Sequence, residues 1–369
     1  MADPVMWTPV LVQCVFILVT NGFVMFVLIQ SGLFRARQNA FVMNLLACDC
    51  LRAFAVLARV LVVMAGPAAS GSDVICVATG FLETATGVAD CVAFTLLLYD
   101  RHMFVASPIN YLHQVSRASV LFGVAYGAAH AMFVAALPLI GWGHFVYVTP
   151  HATCDVDWVE LGGYAQFAAV WGILLPLAGS GFCFVRIWRM VRQRTNQIRV
   201  YNMERAVLEP VGLHRCIGDG AITEAETAFL KTVRLLSVLV ATYFLSWLSR
   251  LALLVRLMVP GPAPSQAAVV AVAFVSLLTC TVNPFMYGVY NRKFRQTLRA
   301  VATCGRRAES DVLEISPYIV KSPSLLALSD YRADMPRAVR CPQPLDPTGP
   351  ADGALAPDNI RIGVKNVWN

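Results

Sequence analysis

Apolar runs of about 20 residues, each long enough to cross a hydrocarbon layer, recur seven times in this chain. They lie near residues 8–30, 39–65, 75–103, 117–141, 162–193, 225–258 and 266–290. Backbone polar groups in lipid must be satisfied within their own segment, so these runs predict helices and an all-α membrane protein. The composition agrees, with 57% hydrophobic residues, 14% charged residues and a mean hydropathy of +0.62, which excludes a water-soluble domain. A net charge of +7 raises the question of nucleic acid, but the positions of the charges give a topological reason instead. The connections after the odd-numbered spans carry Arg35 and Arg37, then His113 and Arg117, then Arg192, Arg194, Arg199, Arg205 and Arg215, and finally Arg292, Lys293, Arg295 and Arg299. The alternate connections hold Asp73, Asp155, Asp157 and Glu160 and neither Lys nor Arg. The positive-inside rule then predicts a multi-pass plasma-membrane protein with its amino terminus outside and its carboxyl terminus in the cytoplasm.

Residues 1–7 form a short outer segment, 8–290 the membrane domain, 291–304 a surface helix and 305–369 a cytoplasmic tail. The first span follows no basic leader or small-residue cleavage site, which predicts an uncleaved signal-anchor. No Asn-x-Ser/Thr sequon occurs, so a small unglycosylated outer face is expected. Of eleven cysteines only Cys76 and Cys154 fall on the oxidising side, where a disulfide is expected between them. Cys14, Cys48, Cys50, Cys91, Cys183 and Cys280 lie within spans as small apolar packing residues, and no Cys/His set has zinc-ligand spacing. After the last span Phe294 and Leu298 share one face of a cationic segment, the pattern of an amphipathic helix on membrane lipid. Cys304, beside Arg306 and Arg307, is a candidate for S-palmitoylation or an unmodified thiol. The tail is rich in Pro, Ser, Ala and Asp without periodicity and is expected to be disordered.

Short motifs then add chemistry. Asp100-Arg101-His102 closes span three, and Asn283-Pro284-Phe285-Met286-Tyr287 closes span seven. Cys76 precedes Arg101 by 25 residues, Pro108 and Tyr111 follow it, Asn21 lies in span one, Asp49 in span two, Pro176 in span five and Ser246-Trp247 in span six. In order and spacing these residues resemble the rhodopsin-family G-protein-coupled receptors over about residues 10–305. The resemblance implies a seven-transmembrane helix bundle with a short amphipathic eighth helix. It also implies coupling to a heterotrimeric G protein through Asp100, Arg101, Pro108 and Tyr111, with Trp247, Asn283, Pro284 and Tyr287 as switch residues, and contact of the tail with arrestin and receptor kinases. Activation in that family is an outward swing of span six.

Several positions depart from the family pattern. Ser249 stands for the span-six proline, which predicts a weaker kink; Phe229 replaces the acid that latches the arginine, Phe184 a span-five tyrosine and Ala128 the span-four tryptophan. The resting latch is thereby reduced to Asp100, and ligand-independent activity is expected.

Charges inside the spans mark candidate sites, because an isolated one costs about 2.5–3.5 kcal/mol at the membrane centre. Asp49 and Asn283 match positions at which related receptors bind sodium, but Asp90 stands where a serine is usual. Two carboxylates in one cavity cannot both ionise cheaply, so a sodium ion, a retained proton or Arg52 is required. Arg52, three residues after Asp49 on the same helix face, is expected to bridge the two acids and make sodium dispensable. Nearer the outer surface Glu83, Arg250, Arg59, Trp247 and Tyr243 define a ligand pocket. Glu83 sits where amine receptors carry their ammonium-binding acid. A Glu83–Arg250 pair is expected instead, with Arg59 left for water or an acidic group, favouring a small zwitterion or carboxylate over an amine. Other classes remain to be weighed. A light sensor needs a span-seven lysine for a retinal Schiff base, and residues 266–290 contain none. A transporter usually shows internal repeats, none of which is evident. A non-signalling scaffold or scavenger of receptor shape stays open. No hydrolase nucleophile or phosphate loop occurs, so an enzyme is not expected.

Overall fold

The computed structural model describes residues 3–66, 73–107, 110–148, 153–157, 163–208, 219–259, 262, 264–290, 294, 295 and 298. Pro108, Cys304 and the tail lie outside these residues, as do the side chain of Phe229 and most of the segment 291–304.

Seven helical spans follow one another. Span one is Thr8–Gln30, entered through a short 3-10 turn, and span two is Arg37–Ala65. Span three is Asp73–Ala106, and span four is Arg117–Ala136, whose N-cap Ser116 accepts a hydrogen bond from the Ser119 amide. Span five is helical from Tyr164, passes through a π-helical stretch, Ala168–Leu174, and continues as Leu175–Leu208. Span six is Asp219–Met258, and span seven is built of Gln266–Ser276 and Leu278–Tyr290. Spans five and six extend beyond the apolar runs that announced them, because their polar ends continue the helix past the hydrocarbon layer.

Six of these helices are long and apolar enough to cross a membrane. Span two carries Asp49, Arg52 and Arg59 in its interior and packs against spans one and three. Span three is the axis of the bundle, with 56% of its apolar window buried against 28% for spans four and six. Phe122, at 73% exposed, and Leu121, at 71%, project outward from span four, an arrangement stable only where lipid replaces water. Small residues permit close helix approach: a Cβ added at Gly127 in span four would lie 3.1 Å from Val92 of span three.

Span six is an unbroken α-helix through Ser249, whose hydroxyl donates to the Ser246 carbonyl at 2.9 Å. The proline-free sequence leaves its ladder intact. In span seven Pro284 lacks the N–H that would reach the Cys280 carbonyl four residues back, and Asn21 Nδ2 of span one donates to that carbonyl at 3.0 Å instead.

One end of the bundle is covered by an antiparallel hairpin, β1 (Phe145–Val148) and β2 (Thr153–Val156), with Tyr147 opposite Cys154. The Cys76–Cys154 disulfide fastens β2 to the first turn of span three. Phe145 seals the contact, since any side chain at Gly80 would run into its ring, 2.6 Å from the added Cβ.

Candidate functional site

Three polar layers stack along span three. The first lies under the hairpin. Glu83 receives Arg250 Nη1 of span six at 2.8 Å and Arg59 Nη1 of span two at 2.7 Å. Arg250 extends its second nitrogen to Asp155 of β2 at 3.4 Å. The expectation that Arg59 is left to meet water or a ligand is therefore corrected: it is buried, paired with Glu83, and its guanidinium lies 5.3 Å from the ring of buried Trp7. With both cations committed to Glu83, the cluster Arg59–Glu83–Arg250–Asp155 carries two charges of each sign. Burial pushes the Asp155 carboxyl up from its ordinary value, with the Arg250 charge opposing that shift. The cavity between Glu83, Asp155, Arg250 and Trp247 measures about 40 Å³, room for little more than a water molecule.

The second layer is the bundle centre. Asn283 Nδ2 donates to Asp49 Oδ2 at 2.8 Å, while Arg52 Nη1 reaches Asp90 Oδ2 at 3.5 Å. Arg52 does not bridge the two acids as expected; its guanidinium turns toward Asp90 and lies 4.4 Å from the Trp247 ring, a cation–π contact that competes for its orientation. One ligand atom from each of Asp49, Asp90 and Cys280 falls within 4.8 Å of the others. Hard carboxylate oxygens suit sodium, although the neighbouring guanidinium already supplies one positive charge. Trp247 is buried, and Tyr243 beneath it stacks on Phe94 with ring centroids 3.9 Å apart. Ser246 joins span six to span seven through Thr279 at 3.1 Å.

At the opposite end Arg101 Nε lies 3.6 Å from Asp100 Oδ2, and Tyr111 donates its hydroxyl to Asp100 Oδ1 at 2.5 Å. Burial, and then the carboxylate it serves, push the Tyr111 hydroxyl up, so it remains a donor. Tyr287 donates to Asn39 Oδ1 at 3.0 Å, and Asn39 in turn donates to the Leu33 carbonyl at 2.9 Å. Phe294 is buried edge-on against Tyr287.

Sequence reasoning did not single out Asp155 as a site residue. Its adjacency to Cys154 is the signal that was available: the disulfide returns β2 to span three, two helical turns from Glu83.

The comparisons with known proteins agree with the seven-helix fold. Residues 20–287 match the family described as 7 transmembrane receptor (rhodopsin family), and the chain belongs to that family. Similar proteins include melanopsin-A of Gadus morhua, 21% identical over 78% of this chain and 50% of the relative, so that the chain spans about half of that protein's length. Rhodopsin of Gallus gallus is 20% identical over 79% of each chain, and pinopsin of the same organism 24% identical over 78% of this chain and 77% of the relative. Among solved structures, squid rhodopsin superposes with a TM-score of 0.63 at 15% identity, covering 91% of this chain and 94% of that one. The chain is thus a multi-pass, rhodopsin-like seven-transmembrane receptor.

Proposed function

We propose that this receptor signals to heterotrimeric G proteins from the plasma membrane, with the hairpin end extracellular, and that it does so in part without a ligand. The observation that carries this reading is the meeting of Arg101, Asp100 and Tyr111 at the end of the bundle opposite the hairpin. The described carboxylate partner of Arg101 is the adjacent Asp100, at 3.6 Å, and the other oxygen of that carboxylate is taken by Tyr111. The Arg101 side chain is 28% exposed, and a half-wet ion pair is worth only about 0–1 kcal/mol. An active state a few kcal/mol above the resting one responds measurably to the loss of a contact of that size. Arrestin and receptor kinases are the further partners expected at the tail.

The hairpin-end cluster supports a ligand class. A plain amine would have to displace two guanidinium groups from Glu83, whereas a small carboxylate or zwitterion need only compete with Asp155 for one edge of Arg250. The opsin relatives offer light as a stimulus, and the lack of lysine in residues 266–290 argues against a retinal Schiff base here.

The test is a panel of G-protein dissociation assays on the unliganded receptor beside an Arg101→Ala control. A basal signal from at least one G-protein class that disappears in the control is expected. A non-signalling scaffold or scavenger is the second reading, favoured by the unbroken span six at Ser249, and equal output from both proteins in every assay would establish it in place of the first.

A further inference from the structure

The cavity at the Arg101 end, distinct from the three layers of the site, measures about 360 Å³ and is lined by Phe34, Arg35, Arg37, Ala40, Arg117 and Val120. It has the volume of a small-molecule site, roughly 300–1,000 Å³. Among the described residues its lining contains three guanidinium groups and no carboxylate. The first turns of two helices meet there, Arg37 and Ala40 from span two and Arg117 and Val120 from span four. Both helix N-termini direct their positive dipole ends toward this region, and the one at Arg37 has no side-chain cap. Phe34, 40% exposed, places an aromatic ring at the margin of the cavity, with the Arg35 guanidinium 5.8 Å from its centroid.

Planar guanidinium forks around a concave site suit phosphate oxygens, which they bind in pairs. On the orientation proposed above, this cavity opens at the headgroup level of the cytoplasmic leaflet, where phosphorylated lipids are concentrated. Phe34 fits the lipid source of that phosphate, since an aromatic ring at the interface meets acyl chains and glycerol rather than bulk water. We infer that the Arg35–Arg37–Arg117 cavity binds the polyphosphorylated headgroup of an anionic membrane lipid of the phosphoinositide class.

The site is wired to the switch. Arg37 Nη1 also donates to the Val115 carbonyl at 3.2 Å, and the Val115 amide bonds the Tyr111 carbonyl at 2.8 Å. Tyr111 holds Asp100. A headgroup drawing on Arg37 therefore acts on the loop that sets the Arg101 latch. This consequence rests on the signalling reading; binding itself does not.

Binding is tested on the full receptor in phosphatidylcholine nanodiscs, titrated with a fluorescent phosphatidylinositol bisphosphate. The double variant R35Q/R117Q leaves Arg37 and its loop contact in place and is expected to bind about thirty-fold more weakly, at about one kcal/mol for each arginine. The variant R186Q/R189Q removes the same charge from span five and is expected to bind as the parent does. Equal weakening by both double variants shows unspecific attraction to a basic surface and overturns the site, as does no weakening by either. Should the glutamine pair fail to fold, R35K/R117K keeps the charge without the fork, and affinity equal to the parent overturns the proposal. Soluble inositol trisphosphate serves as competitor: displacement as strong as by the lipid itself assigns the cavity to free phosphate and overturns the lipid source. None of these outcomes depends on G-protein coupling, so failure here and failure of the signalling reading are separable.

Discussion

The hairpin-end cluster and the bundle centre solve the same problem, charge in a dry interior, with different balances. At the hairpin end Glu83 lies between Arg59 and Arg250, and Arg250 lies between Glu83 and Asp155, two positive groups against two negative. At the centre Asp49 and Asp90 lie together, and among the described residues the one guanidinium beside them is that of Arg52, paired with Asp90. The first cluster is complete within the protein. The second is short of one positive charge, which a proton supplies while Arg52 stands in the place of an ion. The difference assigns them different kinds of work: a closed network holds helices together, whereas an unbalanced one responds to what the surroundings offer.

The largest effect is expected at Glu83. Glu83→Gln leaves two buried guanidinium groups competing for Asp155 and should cost about 3–5 kcal/mol, read as lost surface expression and a lower melting midpoint. Adding Arg59→Met restores the balance around the Arg250–Asp155 pair and should recover most of the loss. The charge swap Glu83→Arg with Arg250→Glu should not rescue, because it sets the new guanidinium against Arg59 and the new carboxylate against Asp155. Full recovery by the swap would mean that Glu83 and Arg250 form an isolated pair and that the four-residue network does not exist.

A smaller effect separates the centre from the hairpin end. With Arg52 in place, exchanging choline for sodium at constant ionic strength should leave the melting midpoint nearly unchanged. Arg52→Gln removes the resident positive charge and should make the midpoint rise with sodium. An equally large sodium response in the parent receptor would show that Arg52 does not substitute for the ion.

The smallest effect is a pH dependence at Asp155. Its carboxyl is raised by burial, so the folded receptor holds this proton more tightly than the unfolded chain. Stability from this group is fully present below the ordinary carboxylate value near 4 and is lost as pH rises through the raised folded value. Over the same window, acidification frees one edge of Arg250. Binding of a small carboxylate probe should therefore strengthen as pH falls through the raised value, and Asp155→Asn should bind well throughout. A parallel pH profile in both proteins would remove Asp155 from the pocket's control.

Particular residues show how far the sequence reached. The spans were legible because lipid imposes length and apolarity on each helix separately, without reference to its neighbours. Glu83 and Arg250 were legible because helix periodicity carries each toward the same cavity. The partner of Arg59 was not, nor was the choice of Asp90 over Asp49 by Arg52, since each depends on which of several carboxylates a long side chain meets once three helices have packed. Arg52 shows the limit plainly: the i,i+3 spacing placed it on the face of Asp49, but the Trp247 ring and Asp90 on neighbouring spans drew it away. Asp155 depended on the fold-back of a hairpin, which no periodic pattern announces.

In the signalling mode proposed above, span six, unbroken from end to end, serves as a lever. From Arg250, where it is anchored under the hairpin, to Asp219 at its other end it measures roughly 46 Å at 1.5 Å per residue. With no proline to absorb a local bend, a tilt of about 10° at the anchor displaces the far end by about 8 Å. The fulcrum of that lever is an ion pair rather than a hinge in the backbone, so the reach of the movement is set by how firmly Glu83 grips Arg250.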